Sequence, residues 1–291
     1  MIYLIPIIAL ALLVIDYRVT ANMVVWVMGQ RHIGSMDLPW NGYGCVHEVI
    51  KGRAELPMQY RVFVPWLTWL LGESKTAYMI VKYAGLLFML YGFHWYLGVL
   101  GVNADLGTAL LGALVPLTIL YDYADAYWEL GFFAVGFGLI YEGGNIWVLT
   151  ALIFMACLNR ETAVFLVLAH YVALGHFIPS DLILLVSLIV AVVGIGLPTL
   201  IYGHNSRYCP LNLINKNIQN IKARQDILGY ATSLVILLGF VSVVVAKWNI
   251  IQPTLVIVMS VFIIVISIPG LWNETRIFMP TLVITIPLAI S

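Results

Sequence analysis

Three carboxylate residues recur at helical spacing in the middle of the chain. Asp122, Asp125 and Glu129 stand at positions i, i+3 and i+7, so one helix would carry all three on the same face. Three neighbouring carboxylates repel one another, and a cation, a basic side chain or raised pKa values must accommodate them. A divalent cation such as Mg²⁺ or Mn²⁺ takes oxygen ligands of this kind. The alternative is structural, because acids also suit the N-terminal end of a helix.

Arginines beside apolar runs form the second group of chemically active residues. A guanidinium can hold a phosphate through two parallel hydrogen bonds. Snorkelling to a lipid interface is the alternative for such an arginine. Because adjacent residues of a helix point to different sides, we expect Arg160 and Glu161 to pair with other segments. The predicted phosphate- or substrate-binding residues are Tyr60, Arg61, Arg160, Glu161, Glu274 and Arg276.

Apolar helices must position these residues. The 291 residues are 62% hydrophobic and only 10% charged, whereas a soluble domain carries about 25% charged residues. Several charge-free runs reach the roughly 20 residues that a membrane-spanning helix needs. We therefore predict an all-α, polytopic transmembrane bundle of roughly ten helices, built as a single membrane domain over residues 1–291 with no soluble domain. The predicted helices are 2–29, 76–100, 105–121, 127–141, 144–158, 161–178, 181–202, 228–246, 250–268 and 276–290.

Two long polar connections interrupt the predicted bundle, at 30–61 and 204–228. The apolar run Val62–Gly72 is too short to span a membrane and contains Trp66 and Trp69. Tryptophan favours the level of the lipid headgroups, so this run is predicted to lie at the interface. Short segments of this kind are also seen as re-entrant structure inside membrane proteins.

Polar residues sort to one end of the predicted bundle, called face A here. If every predicted helix spans, face A receives the connections 30–75, 122–126, 159–160, 203–227 and 269–275. Most of the charged residues fall on these connections. The positive-inside rule explains the bases and would make face A cytoplasmic. It does not explain why acids gather at the same helix ends.

Several function classes are not indicated. The net charge of zero gives no global field for nucleic acid, so no nucleic-acid partner is expected. Cys45, Cys157 and Cys209 are scattered and match neither a metal site nor a disulfide framework. His47–Lys51 begins like a zinc-protease helix but lacks the second histidine. No glycine loop for nucleotides and no serine-hydrolase elbow is found.

Three short segments, called the landmark segments here, resemble those of a broad group of bacterial multi-spanning proteins. They are Gln59–Trp66, Asn159–Ala163 and Asn273–Pro280, and they occur in the expected order over nearly the whole chain. Proteins of that group are similar to GT-C-type glycosyltransferases, which use polyprenyl-phosphate sugars. The resemblance implies a GT-C-like fold in the bacterial inner (plasma) membrane. It also implies transfer of a sugar from a polyprenyl-phosphate donor to a lipid, glycan or protein acceptor.

The resemblance also implies a catalytic acid in the first loop outside the cytoplasm. Asp37 matches that position best, and Glu48 is second. Independently, a base must deprotonate the acceptor hydroxyl, and Arg61, Arg160 or Arg276 would stabilise the departing phosphate. The chain departs from the family in lacking a large C-terminal soluble domain. Face A is also rich in bases, whereas the GT-C site faces away from the cytoplasm.

Three hypotheses of function follow. The first is the glycosyltransferase, with membrane lipids and a polyprenyl-phosphate sugar as partners. The second is a non-catalytic subunit that packs against partner membrane subunits, with its charges paired off and no cavity. The third is a transporter or scramblase, which Asp16 and Arg18 within the first helix favour because charges at bilayer depth often line a polar path.

Overall fold

The fold is known from a computed structural model that describes residues 2–15, 42–51, 61–118, 124–173, 182–202, 218, 227–246, 258, 260–264 and 280–291. Helices and short connections make up these residues, without a strand among them, so the all-α prediction is confirmed for this part of the chain. The helices are α1 (Ile2–Ile15), α2 (Gly42–Ile50), α3 (Phe63–Leu70), α4 (Lys75–Val99), α5 (Ala104–Thr118), α6 (Ala124–Glu142), α7 (Ile146–Asn159), α8 (Val164–Ala173), α9 (Leu182–Tyr202), α10 (Ile227–Ala246) and α11 (Leu282–Ile290). A 3₁₀ turn, Glu161–Ala163, joins α7 to α8.

Helix α2 lies inside the polar connection predicted for 30–61 and was not predicted. Charge-free runs indicate apolar helices, whereas α2 is amphipathic and contains a charged residue. Val46 and Val49, one turn apart, are buried, while Glu48 on the same helix is half-buried and Lys51 just after it is exposed. The short run after this connection is helical as well, since α3 accounts for most of it.

One described helix is long and apolar enough to cross a membrane by length and composition. It is α4, with 25 residues. Other described helices, including α1 and α7, are apolar but shorter. The N-terminus of α4 is capped by Ser74, whose hydroxyl accepts from the Ala77 N–H at 3.0 Å.

The same three-residue turn connects helices at Gly72–Ser74, Gly101–Asn103 and Gly143–Asn145. Each glycine is left-handed, with φ of 100°, 69° and 66°, which glycine adopts without steric cost. The glycine and the residue after it donate backbone hydrogen bonds to carbonyls in the last turn of the preceding helix. The serine or asparagine side chain then caps the next helix, at 3.0, 3.0 and 2.9 Å. A Gly-x-Ser/Asn sequence thus specifies a tight turn between helices three times.

Helices α4 and α6 interlock through glycines that receive large side chains. Four glycines, two on each helix, each face a side chain of the other helix. A Cβ added at any of the four would lie under 3.0 Å from that side chain. The positions advance in steps of three and four residues on both helices, as in a heptad seam. The residue numbers of the pairs rise together along both helices, so α4 and α6 run parallel. Helix α5, which connects them in the sequence, runs back in the opposite direction. The pairs are Gly85 with Trp128, Phe88 with Gly131, Gly92 with Val135, and Trp95 with Gly138.

This packing makes Gly138 intolerant of a methyl group. We expect Gly138→Ala to destabilise the protein by about 1–3 kcal/mol, because the new Cβ would overlap the rigid Trp95 ring. Gly98→Ala is the matched control, since nothing lies within 4 Å of a Cβ at that position of α4. Unfolding of the two purified variants measures the difference. Equal stability of both variants would show that the α4–α6 interface is not packed as described.

Candidate functional site

The helix break at Arg160 creates the centre of the candidate site. Helix α7 ends at Asn159, and Arg160 is extended, with φ −156° and ψ 142°. Its N–H still bonds to the Ala156 carbonyl at 2.8 Å, while its own carbonyl accepts from the Ala163 N–H at 3.1 Å. The break turns consecutive side chains in different directions. Arg160 reaches α6 and Glu161 reaches the residues before α3, which confirms that the two pair with different segments.

Arg160 lies between two carboxylates of α6. Its Nε is 3.4 Å from Asp125 Oδ2, and its Nη1 donates to Glu129. Asp125 and Glu129 are one turn apart, so a single guanidinium reaches both. The Thr162 hydroxyl also donates to Glu129. Arg160 is only 2% exposed and is among the largest fully buried side chains of the described residues, so these carboxylates are its counter-ions.

Arg61 joins the same carboxylates from another part of the chain. Its Nη1 donates to Asp125 Oδ2 at 3.4 Å, and its Nη2 donates to Glu161 Oε1 at 3.4 Å. The Val62 N–H fixes this segment by donating to the Leu158 carbonyl at 2.9 Å. Arg61 is thereby held where the end of α7 and the start of α6 meet.

Aromatic packing anchors α3 directly after Arg61. The Phe63 ring meets the Trp128 and Phe132 rings of α6 edge-on, at centroid distances of 5.1 and 5.4 Å. Trp128 in turn donates its indole N–H to the Val81 carbonyl of α4 at 3.2 Å. Edge-to-face rings of this kind stabilise a contact beyond the area that they bury. The position of Arg61 is therefore tied to the α4–α6 interface.

The charged side chains form one alternating series, called the ion-pair chain here. It runs Glu161, Arg61, Asp125, Arg160, Glu129. Exposure falls along it, from 40% for the Glu161 side chain to 3% for Glu129. Three carboxylates face two guanidinium groups, so the ion-pair chain has a net charge of one negative unit when all five of its members are ionised. The Glu161 side chain is the most exposed of these five described side chains.

Asn159 closes the inner side of the site. Its Nδ2 donates to the Asp125 backbone carbonyl at 2.9 Å, which ties the end of α7 to the first turn of α6. The side chain is buried, and its Oδ1 has no hydrogen-bond partner among the described residues. Asn159 therefore supports the backbone from which Asp125 extends.

Charge sets the protonation state at the outer end of the ion-pair chain. Burial raises the pKa of the Glu161 carboxyl, but the guanidinium groups of Arg61 and Arg160, together with hydrogen bonds from the Glu161 backbone and from Arg61, lower the pKa below its ordinary value. Glu161 lies between helices α7 and α8, and it is ionised at neutral pH.

The structure brings together five of the predicted site residues. Glu48 lies half-buried on α2, and its catalytic role stays a prediction. The phosphate-binding role of Arg160 also stays a prediction, because its described contacts are with carboxylates. The predicted residues that converge are Arg61, Asp125, Glu129, Arg160 and Glu161. Those that lie outside the described residues are Asp37, Tyr60, Asp122, Glu274 and Arg276.

Two of the three residues of the predicted metal site lie within the described part of the chain. Asp125 and Glu129 share a helix face as the spacing predicts, but a guanidinium occupies the space between them. Within the residues that the structure describes, no group of three or more histidine, cysteine or acidic side chains is arranged to hold a metal ion. Asp125 also stands in the first turn of α6, where the helix dipole favours an acid.

Two residues of the site were not predicted. Thr162 and Asn159 flank the arginine and the glutamate, and both bond to α6. The signal was their position in the Asn159–Ala163 landmark segment, where four successive polar residues separate two apolar runs. Comparison of the chain with protein-family models, with curated proteins and with solved structures finds no match.

Removing the central cation tests whether the ion-pair chain stabilises the fold. Arg160→Met should destabilise the protein by about 3–5 kcal/mol, because Asp125 and Glu129 would stay buried without their counter-ion. Adding Glu129→Gln to that variant should restore part of the loss. Unfolding of the purified variants measures both effects, with the exposed Lys75→Met as a control within about 0.5 kcal/mol of wild type. A stable Arg160→Met protein would contradict the description of the site.

The lowered pKa of Glu161 predicts a pH dependence of stability. A group with a lowered pKa in the folded state stabilises above its unfolded pKa, and this contribution is lost as pH falls through the folded pKa. Glu161→Gln should therefore be less stable than wild type at neutral pH, and the gap should close as pH falls below the ordinary value of 4.5. Unfolding of both proteins across pH measures the gap. A gap that is constant or widens in acid would refute the ion pair with Arg61.

Proposed function

We propose that the chain is a multi-pass integral membrane protein. Large apolar side chains on several helices face outward, among them Leu200 at 85% and Trp147 at 69% exposure. Apolar faces of this extent are rare on soluble monomers and common where lipid is the solvent. Helices α9 and α10 contribute much of this surface, and α4 has the length to span. The resemblance in the sequence points to a bacterial plasma membrane.

Within that membrane, the proposed activity is GT-C-like transfer of a sugar from a polyprenyl-phosphate donor. The observation that carries the proposal is the 3.4 Å pair between Arg61 and Glu161. These residues come from two landmark segments about 100 positions apart in the chain, and the pair forms the outer end of the ion-pair chain. A catalytic site needs such convergence of distant segments at an accessible edge.

The geometry supports distinct roles for the two arginines. Arg61 has one Nη on the buried Asp125 and the other on the accessible Glu161. A phosphate of the donor would take the place of Glu161 on Arg61 Nη2 and receive a charge-assisted hydrogen bond. Arg160, enclosed by Asp125 and Glu129, would act as a positioning residue that fixes Asp125 and thereby Arg61. Asp37 remains the proposed general base, on the strength of the resemblance.

A non-catalytic membrane subunit is the second candidate. The observation in its favour is that both described arginines of the site have carboxylate partners, as expected of charges that are paired off. A groove lined by α2 and α3 is apolar rather than polar. Extraction in mild detergent distinguishes this candidate, since a subunit should copurify with partner chains and an autonomous enzyme should elute as one stable, monodisperse species.

Transfer from a labelled polyprenyl-phosphate sugar by the purified protein tests the enzyme. Asp37→Asn should abolish transfer, and Arg61→Gln should reduce it at least about 100-fold, in the range seen when one charge-stabilising donor is removed. Lys75→Gln, an exposed cation outside the ion-pair chain, is the control and should transfer normally. Folded Asp37→Asn protein with normal transfer would overturn the proposed base. Normal transfer by folded Arg61→Gln would overturn the phosphate role of Arg61.

A further inference from the structure

An apolar groove lies between α2 and α3, apart from the ion-pair chain. It has a volume of about 390 Å³ and is open on one side. Its described lining is one side chain of α2, Ile50, and three of α3, Trp66, Trp69 and Leu70. None of these four carries a charge. Trp69 and Leu70 are also exposed beyond the groove, so its wall continues into the apolar outer surface.

Two buried clusters join the segments that line the groove. Val49 of α2 packs with Val62 and Leu158 in a small buried cluster. Val46 of α2 packs with Val64 of α3 in a second cluster. The groove is therefore built into the α2–α3 unit, since two buried contacts hold the helices that line it.

Charged residues stand where each wall of the groove ends. Lys51 follows Ile50 directly, and Glu73 lies three residues beyond Leu70. Lys51 Nζ is 3.6 Å from Glu73 Oε1, and the Lys51 side chain is 49% exposed. His47 Nδ1 is 3.0 Å from the same glutamate oxygen. A cation and an anion thus stand together just beyond the last lining residue of each helix.

Glu73 keeps this place at a cost in backbone conformation. Its φ is +47°, which is uncommon for a residue with a side chain. The turn is closed by the Glu73 N–H, which donates to the Thr68 carbonyl at 3.0 Å. The carboxylate is consequently directed to α2, where Lys51 and His47 meet it.

We propose that the groove binds one acyl chain of a zwitterionic phospholipid. The acyl chain would lie against Trp66 and Trp69, whose rings favour the region between lipid tails and headgroups. The lipid phosphate would meet Lys51 and the lipid ammonium would meet Glu73, so that both headgroup charges find an opposite charge. This lipid is a bound component distinct from any sugar donor. The inference rests on the proposed membrane location.

Lipid binding to the purified full-length protein in detergent tests the inference, with phosphatidylethanolamine as the probe. Native mass spectrometry should show saturable binding of one lipid. Trp69→Ala should weaken binding at least tenfold, because it removes one wall of the groove. Trp147→Ala is the matched control, since this tryptophan is even more exposed but lies outside the groove, and its binding should be unchanged. Equal losses in both variants would overturn the groove.

The headgroup contacts are tested separately. Lys51→Gln should weaken phosphatidylethanolamine binding about tenfold, whereas binding of diacylglycerol, which has no phosphate, should not change. Stronger binding of phosphatidylglycerol than of phosphatidylethanolamine would overturn the zwitterionic assignment. Flotation with phosphatidylcholine vesicles separates the two proposals. A protein that does not float refutes the membrane location itself, whereas a protein that floats but binds no saturable lipid refutes only the groove.

Discussion

Burial of the Arg160 guanidinium constrains everything around the candidate site. A charge removed from water needs counter-ions and hydrogen bonds within reach, because an unpaired buried charge is strongly destabilising. Arg160 obtains them from Asp125 and Glu129, which must therefore face α7 from adjacent turns of α6. The break after α7 directs the Arg160 side chain to α6, and the same break directs the Glu161 side chain to Arg61. One buried cation thus links three distant segments.

Helix α6 can present both acids to Arg160 because its two faces contact different parts of the structure. One face carries Trp128, Gly131, Val135 and Gly138, which interlock with α4. The other carries the two acids and, further along, Gly136 in close contact with Leu166 of α8. The glycines let α4 and α8 approach closely enough that rotation of α6 would produce overlap on either side. The interlocked packing therefore holds the acids in the orientation that Arg160 requires, and the ion pairs stabilise that orientation in return.

Periodicity and local chemistry predict much of this arrangement. The apolar runs predict most helices to within a few residues, and the spacing of Asp125 and Glu129 predicts their shared face. The divergence of Arg160 and Glu161 also follows from local geometry. Their partners do not, because Arg61 is about 100 residues from Glu161 and a single sequence holds no record of that contact. Helix α2 was not predicted because the residues of its polar face interrupt the apolar run in the sequence. The Gly-x-Ser/Asn turns were not predicted, although glycine conformation and helix capping provide a local signal for them.

Residues 61–62 lie against the end of α7, and disulfide cross-linking tests this contact most directly. Val62 and Leu158 pack in one small buried cluster, and their backbones are joined by a 2.9 Å hydrogen bond. In a background without native cysteines, Val62→Cys with Leu158→Cys should cross-link efficiently under mild oxidation. The pair Val62→Cys with Val99→Cys, at the far end of α4, should not. A folded protein whose first pair cross-links no better than the second would contradict the convergence on which the site depends.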